Sequence, residues 1–178
     1  YSNPDWHHPD GYNPLSTHQW KAVDKEHGDF ERYKQFVRDQ VTELLTNYGK
    51  ISMIWFDTPY DMPIELCREL REVVKECQPD CLINGRIGYG LGDYRNMADN
   101  CIPHDPYFGP WEAPMTLNLN WGYCEADNNW ADPSEVIRRL SAIAAKGGNL
   151  ILNGIDTDAF MFSQEKRDKI RKKFNIEA

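Results

Sequence analysis

Asp57 closes the apolar run ISMIWFD (51–57). A carboxylate at the end of a buried run is costly unless something pairs with it or uses it. Polar residues stand at the ends of three further apolar runs: Asn84 and Arg86 after CLI, Asn120 and Trp121 after TLNL, and Asn153 after NLIL. Ligands of parallel α/β folds gather at the carboxyl ends of strands, so these four ends point to one shared site. The plainer alternative is that they cap helices and satisfy loop backbone. Between the second and third runs lies segment 87–115, which has little helical or strand pattern of its own. It carries Tyr89, Tyr94, Tyr107, Phe108 and Trp111 together with Asp93, Asp99, Asp105 and Glu112. Rings that stack on C–H faces and carboxylates that accept from hydroxyls suit a sugar.

Such residues need a scaffold, and the periodicity supplies one. Asp29 caps a helix whose apolar residues (Phe30, Tyr33, Phe36, Val37, Val41, Leu44, Leu45, Tyr48) recur at helical spacing up to Gly49. The strand 51–57 follows. A second helix is expected with Asp61 as its cap, Pro63 in its first turn and the stripe Leu66, Leu70, Val73, Val74 and Cys77. CLINGR (81–86) reads as a short strand and TLNLNWGY (116–123) as extended. The clearest helix begins at Asp132, with Pro133 at its first position, Glu135 able to close a capping box, and Gly147 and Gly148 at its end. NLILNG (149–154) reads as a strand buried on both faces, and a basic helix is expected over 163–174. Alternating strands and helices give an α/β fold with a parallel sheet.

The bulk composition narrows the function. The 178 residues, 40% hydrophobic and 27% charged, suffice for one domain with a real core. A net charge of −8 argues against nucleic acid as a partner. No run of about 18 apolar residues suggests a membrane span. The five cysteines are odd in number and form no CxxC pair, so neither a zinc site nor a full disulfide framework is expected; Cys67 and Cys77 read as small core residues, and the odd count leans toward a reducing compartment. His7 and His8 lack a third metal ligand at a convincing spacing, so they read as loop residues. No metal or other cofactor is expected. The opening YSNPDWHHPDG shows no signal peptide; a leader preceding a longer parent chain would fit a periplasmic or extracellular location.

Taken in order, six segments resemble the α-L-fucosidases of glycoside hydrolase family 29: YSNPDWHHPD, YGKISMIWFDTP, INGR, GDYRNMADNCIP, GPWEAPMTLNLNWGY and LSAIAAKGGNLILNG. The resemblance implies the C-terminal portion of a catalytic domain, a partial (β/α) barrel of TIM-barrel type over 1–178. It implies a retaining hydrolase that removes terminal α-L-fucose from a fucosylated glycan or glycoconjugate by double displacement. On this resemblance Asp57 is the nucleophile, which must be ionised, and Arg86 a fucose contact that would favour that state. Asp99 is the preferred acid/base and Glu112 the second candidate, otherwise a pocket residue. Trp55, Trp111 and Trp121 are expected to line the sugar site. The family's adjacent histidines followed by Asp-Gly-Phe, on an earlier strand, have no counterpart, and Ala159 stands where the family usually has Gly. The chain is therefore expected to hold the reacting carboxylates but to lack part of the fucose pocket. The rival expectations are a carbohydrate-binding or pseudoenzyme module of the same fold and a different barrel glycosidase.

Overall fold

The structure is a computed structural model that describes residues 8–10, 28–57, 62–122 and 124–154. The chain divides into two compact units, residues 1–96 with 108–111, and residues 97–107 with 112–178.

The first unit is two helices laid against a parallel strand pair. Helix α1 (Phe30–Asn47) starts where Asp29 accepts from the amides of Glu31 and Arg32, satisfying two of the donors every helix start leaves open. It buries Tyr33, Val37, Val41 and Leu45, while Leu44 and Tyr48 of the expected stripe are exposed. Helix α2 (Ile64–Cys77) buries Leu66, Cys67, Leu70 and Val74. These two stripes close a core over Ile54, Phe56, Ile83 and Ile87. Burial pushes the Cys67 thiol up to about 11, so it packs as a small apolar group. The cap position of α2 is held by Pro63 with no side-chain hydrogen bond. Asp61, expected as the cap, lies outside the described residues, and Pro63, expected in the first turn, takes the cap position. A proline there is tolerated because its missing N–H would be unsatisfied anyway.

Strands β1 (Met53–Ile54) and β2 (Leu82–Ile83) pair in parallel, Met53 opposite Leu82 and Ile54 opposite Ile83. The ladder is far shorter than the apolar run 51–57, and Met53 is exposed. Past Ile83 the chain turns at once into a 3-10 turn, η1 (Gly85–Ile87), so Arg86 rides on a turn and not on a strand. Gln78 ties the unit together: its Nε2 donates to the carbonyls of Leu45 and Gly49 at 2.6 and 2.9 Å, and its Oε1 accepts from Ile51 N at 2.8 Å. The end of α1, the start of β1 and the end of α2 thus meet at one amide. A two-residue strand, β3 (Arg95–Asn96), follows the η1 loop.

In the second unit β4 (Trp111–Thr116, with Trp111 itself in the first unit) pairs in parallel with β5 (Asn149–Asn153), Glu112 opposite Asn149 through Thr116 opposite Asn153. All six β4 residues are buried. The segment expected to be irregular therefore contains a core strand, and 117–122, expected to be extended, is a series of bends. Helix α3 (Pro133–Ala145) is capped by Asp132, which accepts from Ser134 N at 2.8 Å. Glu135 does not close a capping box; its two oxygens take Arg138 and Arg139 instead, which hold its carboxyl down to about 2. Gly147, at φ +76°, lets the chain leave α3. β5 is half-exposed, not buried on both faces. The helix expected over 163–174, His7 and Ala159 lie outside the described residues.

Candidate active site

Past the carboxyl ends of β1 and β2 an acid and an arginine meet. One Asp57 oxygen accepts from Arg86 Nη1 at 2.9 Å, the acid being 40% and the guanidinium 20% exposed. That is open enough for a ligand to reach the carboxylate and closed enough for the pair to be poorly screened. The guanidinium also lies over the Trp55 ring, 4.8 Å from its centroid, an attractive cation–π geometry. Trp55, Asp57 and Arg86, three of the residues picked out in the sequence, therefore form one cluster.

The backbone beneath Arg86 is tightly specified. Its N–H donates to Asn96 Oδ1 at 3.2 Å. A Cβ on Gly85 would stand 2.9 Å from Tyr94 O, and one on Gly92 would stand 2.6 Å from Gly85 Cα and 2.7 Å from the Asn84 carbonyl. The loop is pinched shut at these two glycines. Asp93 then ties it down: its oxygens accept from Arg71 Nη2 (2.9 Å), Lys75 Nζ (2.8 Å) and Ile83 N (2.9 Å). Burial pushes the Asp93 carboxyl up, but these hydrogen bonds outweigh it and hold it below the usual range. Among the acids of the aromatic segment Asp93 is thus a structural tie. The sequence signal for that role is the flanking Gly92, which has no side chain to fit in the pinch.

The remaining candidates lie elsewhere. Glu112, on β4 of the second unit, is 4% exposed, and its carbonyl accepts from Met97 N at 2.8 Å. Asp99, in the same unit, is exposed on a tight turn. The next residue, Asn100, adopts φ +54°. Asn100 N donates to Pro114 O at 2.9 Å, and its Oδ1 accepts from Thr116 N at 2.9 Å, stapling the turn to β4. Trp121 is 40% exposed on a bend held by Asp127, which accepts from Leu119 N and Asn120 Nδ2. Trp111 is 1% exposed, so its ring packs inside the fold and offers no open face to a sugar. Two expected strand-end positions change with the new strand boundaries: Thr116 ends β4, and Asn120 and Trp121 sit in the bends beyond it. His8 lies against Tyr33 and Phe36, and its Nδ1 accepts from Asp10 N. Among the described residues no group of three or more His, Cys, Asp or Glu side chains could hold a metal ion, and no helix is long and apolar enough to cross a membrane.

Parallel strand pairs with helices alongside them define a mixed α/β protein, in which an acid and an arginine meet past adjoining strand ends. The chain belongs to the alpha-L-fucosidase family, whose model matches residues 1–172. Solved structures agree. Alpha-L-fucosidase isoenzyme 1 from Paenibacillus thiaminolyticus is 34% identical at a TM-score of 0.74, over 86% of this chain and 41% of that one. AlfC from Lactobacillus casei, solved with its alpha-L-fucose product, is 30% identical at a TM-score of 0.75, over 88% of this chain and 52% of that one. The alpha-L-fucosidase from Vibrio sp. strain EJY3 is 30% identical at a TM-score of 0.67, over 73% and 25%. The chain thus spans about half the length, or less, of these structures. No match was found among curated proteins.

Proposed function

We propose that the protein is a retaining α-L-fucosidase acting on fucosylated glycans, and that the described elements are part of its (β/α)-barrel catalytic domain. Asp57 is the nucleophile. Its carboxylate attacks the anomeric carbon of fucose as the glycosidic C–O bond breaks, and an acid protonates the departing oxygen. The conjugate base then takes a proton from water, whose oxygen attacks the same carbon and expels Asp57. The two inversions give net retention, which requires carboxyl groups about 5 Å apart. Asp99 is assigned as the acid/base, on a turn open to solvent where protons can exchange; Glu112 is the second candidate. Arg86 holds Asp57 and contacts the sugar. Trp55 and Trp121 complete the binding surface.

The observation that carries this reading is the Asp57–Arg86 pair at adjoining strand ends, in a chain of the fucosidase family. Solved relatives add support: AlfC variants have been crystallised with 4-nitrophenyl-a-L-fucopyranoside and with Fuca(1,6)GlcNAc. The test is Asp57→Ala in the full-length enzyme, assayed on 4-nitrophenyl α-L-fucoside. Its kcat should fall by roughly 1,000-fold or more, as nucleophile removals do, with partial rescue by azide. Unchanged turnover would refute the assignment. A binding module without turnover is the second reading, favoured by the short span against the solved relatives. Saturable fucose binding by the full-length protein with no release of 4-nitrophenol would decide for it.

A further inference from the structure

We propose that Asn84 is a positioning residue that sets the geometry of the Asp57–Arg86 pair, an inference that rests on the fucosidase reading above. Asn84 precedes the 3-10 turn η1, where its side chain would ordinarily cap that turn, yet it makes no capping hydrogen bond. It reaches across to the other strand instead. Its Oδ1 accepts from Phe56 N at 2.7 Å and its Nδ2 donates to Phe56 O at 2.8 Å, 28 residues away along the chain. The residue is 0% exposed, so neither Phe56 group has water as an alternative partner and both hydrogen bonds are expensive to lose.

The placement explains the function. The backbone ladder ends at Ile54 and Ile83, and beyond it the Asn84 amide spans the two segments at Phe56. A primary amide is a peptide group in miniature, with one donor and one acceptor side by side, and here it pairs with both backbone groups of a single residue. Asp57 follows Phe56 directly, and Arg86 stands two residues after Asn84, with the pinched Gly85 between them. One rigid bridge therefore fixes the distance between the strand that carries the acid and the turn that carries the arginine. Asp93 and the Gly85–Gly92 contact anchor the same turn, and the amide ties it to the segment that ends in Asp57. No group smaller than Asn that lacks both a donor and an acceptor can replace it.

The experiment is a double-mutant cycle in the full-length enzyme, Asn84→Ala with Arg86→Lys, read as kcat/KM on 4-nitrophenyl α-L-fucoside beside each variant's Tm. A misplacement near 1 Å costs on the order of 100-fold, so Asn84→Ala should lower kcat/KM by about that factor. The double variant should fall little below the weaker single, because Asn84 works through the pair that Arg86→Lys already disrupts. Asn84→Ser, which keeps one hydroxyl but cannot span both Phe56 groups, carries the same cycle should the alanine variant not fold. Additive losses, or a lowered Tm with kcat/KM unchanged, would make Asn84 a scaffold residue only and overturn the proposal, as would failure of both variants to fold. Wild-type enzyme without turnover would overturn the fucosidase reading as well, whereas active wild type with an additive cycle overturns the Asn84 proposal alone.

Discussion

At the residue scale, a carboxylate's neighbours decide its job. Asp57 faces a guanidinium and remains reachable; Asp93 is wrapped by two cations and an amide. Asp10 shows the structural extreme. It is buried, and Arg32 grips it through Nε and Nη2 while Asp29 N donates to it at 2.9 Å. The hydrogen bond from Arg32 leads the causes that hold its carboxyl down to about 2, from an ordinary 3.8. The unfolded chain then binds the extra proton first, so the stabilisation is complete above pH 3.8 and is lost as pH falls through about 2. Tm measured against pH should drop across that window, and Asp10→Asn should flatten part of the drop; an unaltered profile would contradict this. The two candidate acids separate by leaving group. Replacing the true acid/base should cut turnover of natural glycans by roughly 100- to 10,000-fold. The first step on the 4-nitrophenyl fucoside should be largely spared, because that leaving group needs no proton. A burst of 4-nitrophenol should therefore precede slow turnover that azide, which needs no general base, restores. Asp99→Asn is expected to show this split, and Glu112→Gln is expected to lack it.

At the scale of elements, Gly92 offers the sharpest test of the loop that presents Arg86. In Gly92→Ala the new methyl would meet backbone at 2.6 Å, with no flexible side chain to give way. Overpacking of this kind costs about 1–3 kcal/mol, measurable by urea unfolding, and activity should fall with the displaced turn. Free tolerance would mean the pinch is not structural. Much of this scale was legible in the sequence because its signals are local. Asp29 and Asp132 announced their helices through cap chemistry, and the stripes of α1 and α2 followed from spacing. Strand limits were not legible. A continuous apolar run such as 51–57 does not say where its partner diverges, and only two of its residues found a ladder. β4 was hidden because Glu112 and Pro114 look like loop residues, although proline can sit in a strand wherever its missing N–H is not needed. The pairing of Asp57 with Arg86 was foreseen from strand ends. The Asn84 bridge was not, since it depends on register between residues far apart in sequence.

At the scale of the whole molecule, family membership covers nearly the entire chain, while the chain spans about half or less of the solved relatives. Each described unit has its own parallel pair, β1 with β2 and β4 with β5. The nucleophile candidate belongs to the first unit and both acid/base candidates to the second. The central claim is that Asp57 forms the covalent fucosyl ester. The most direct measurement is to treat the full-length enzyme with 2-deoxy-2-fluoro-α-L-fucosyl fluoride and locate the label by peptide mass spectrometry. The expected result is one fluorofucosyl group on the Asp57 carboxylate, with activity lost in step. A label on another residue, or no label on an active enzyme, would contradict the account.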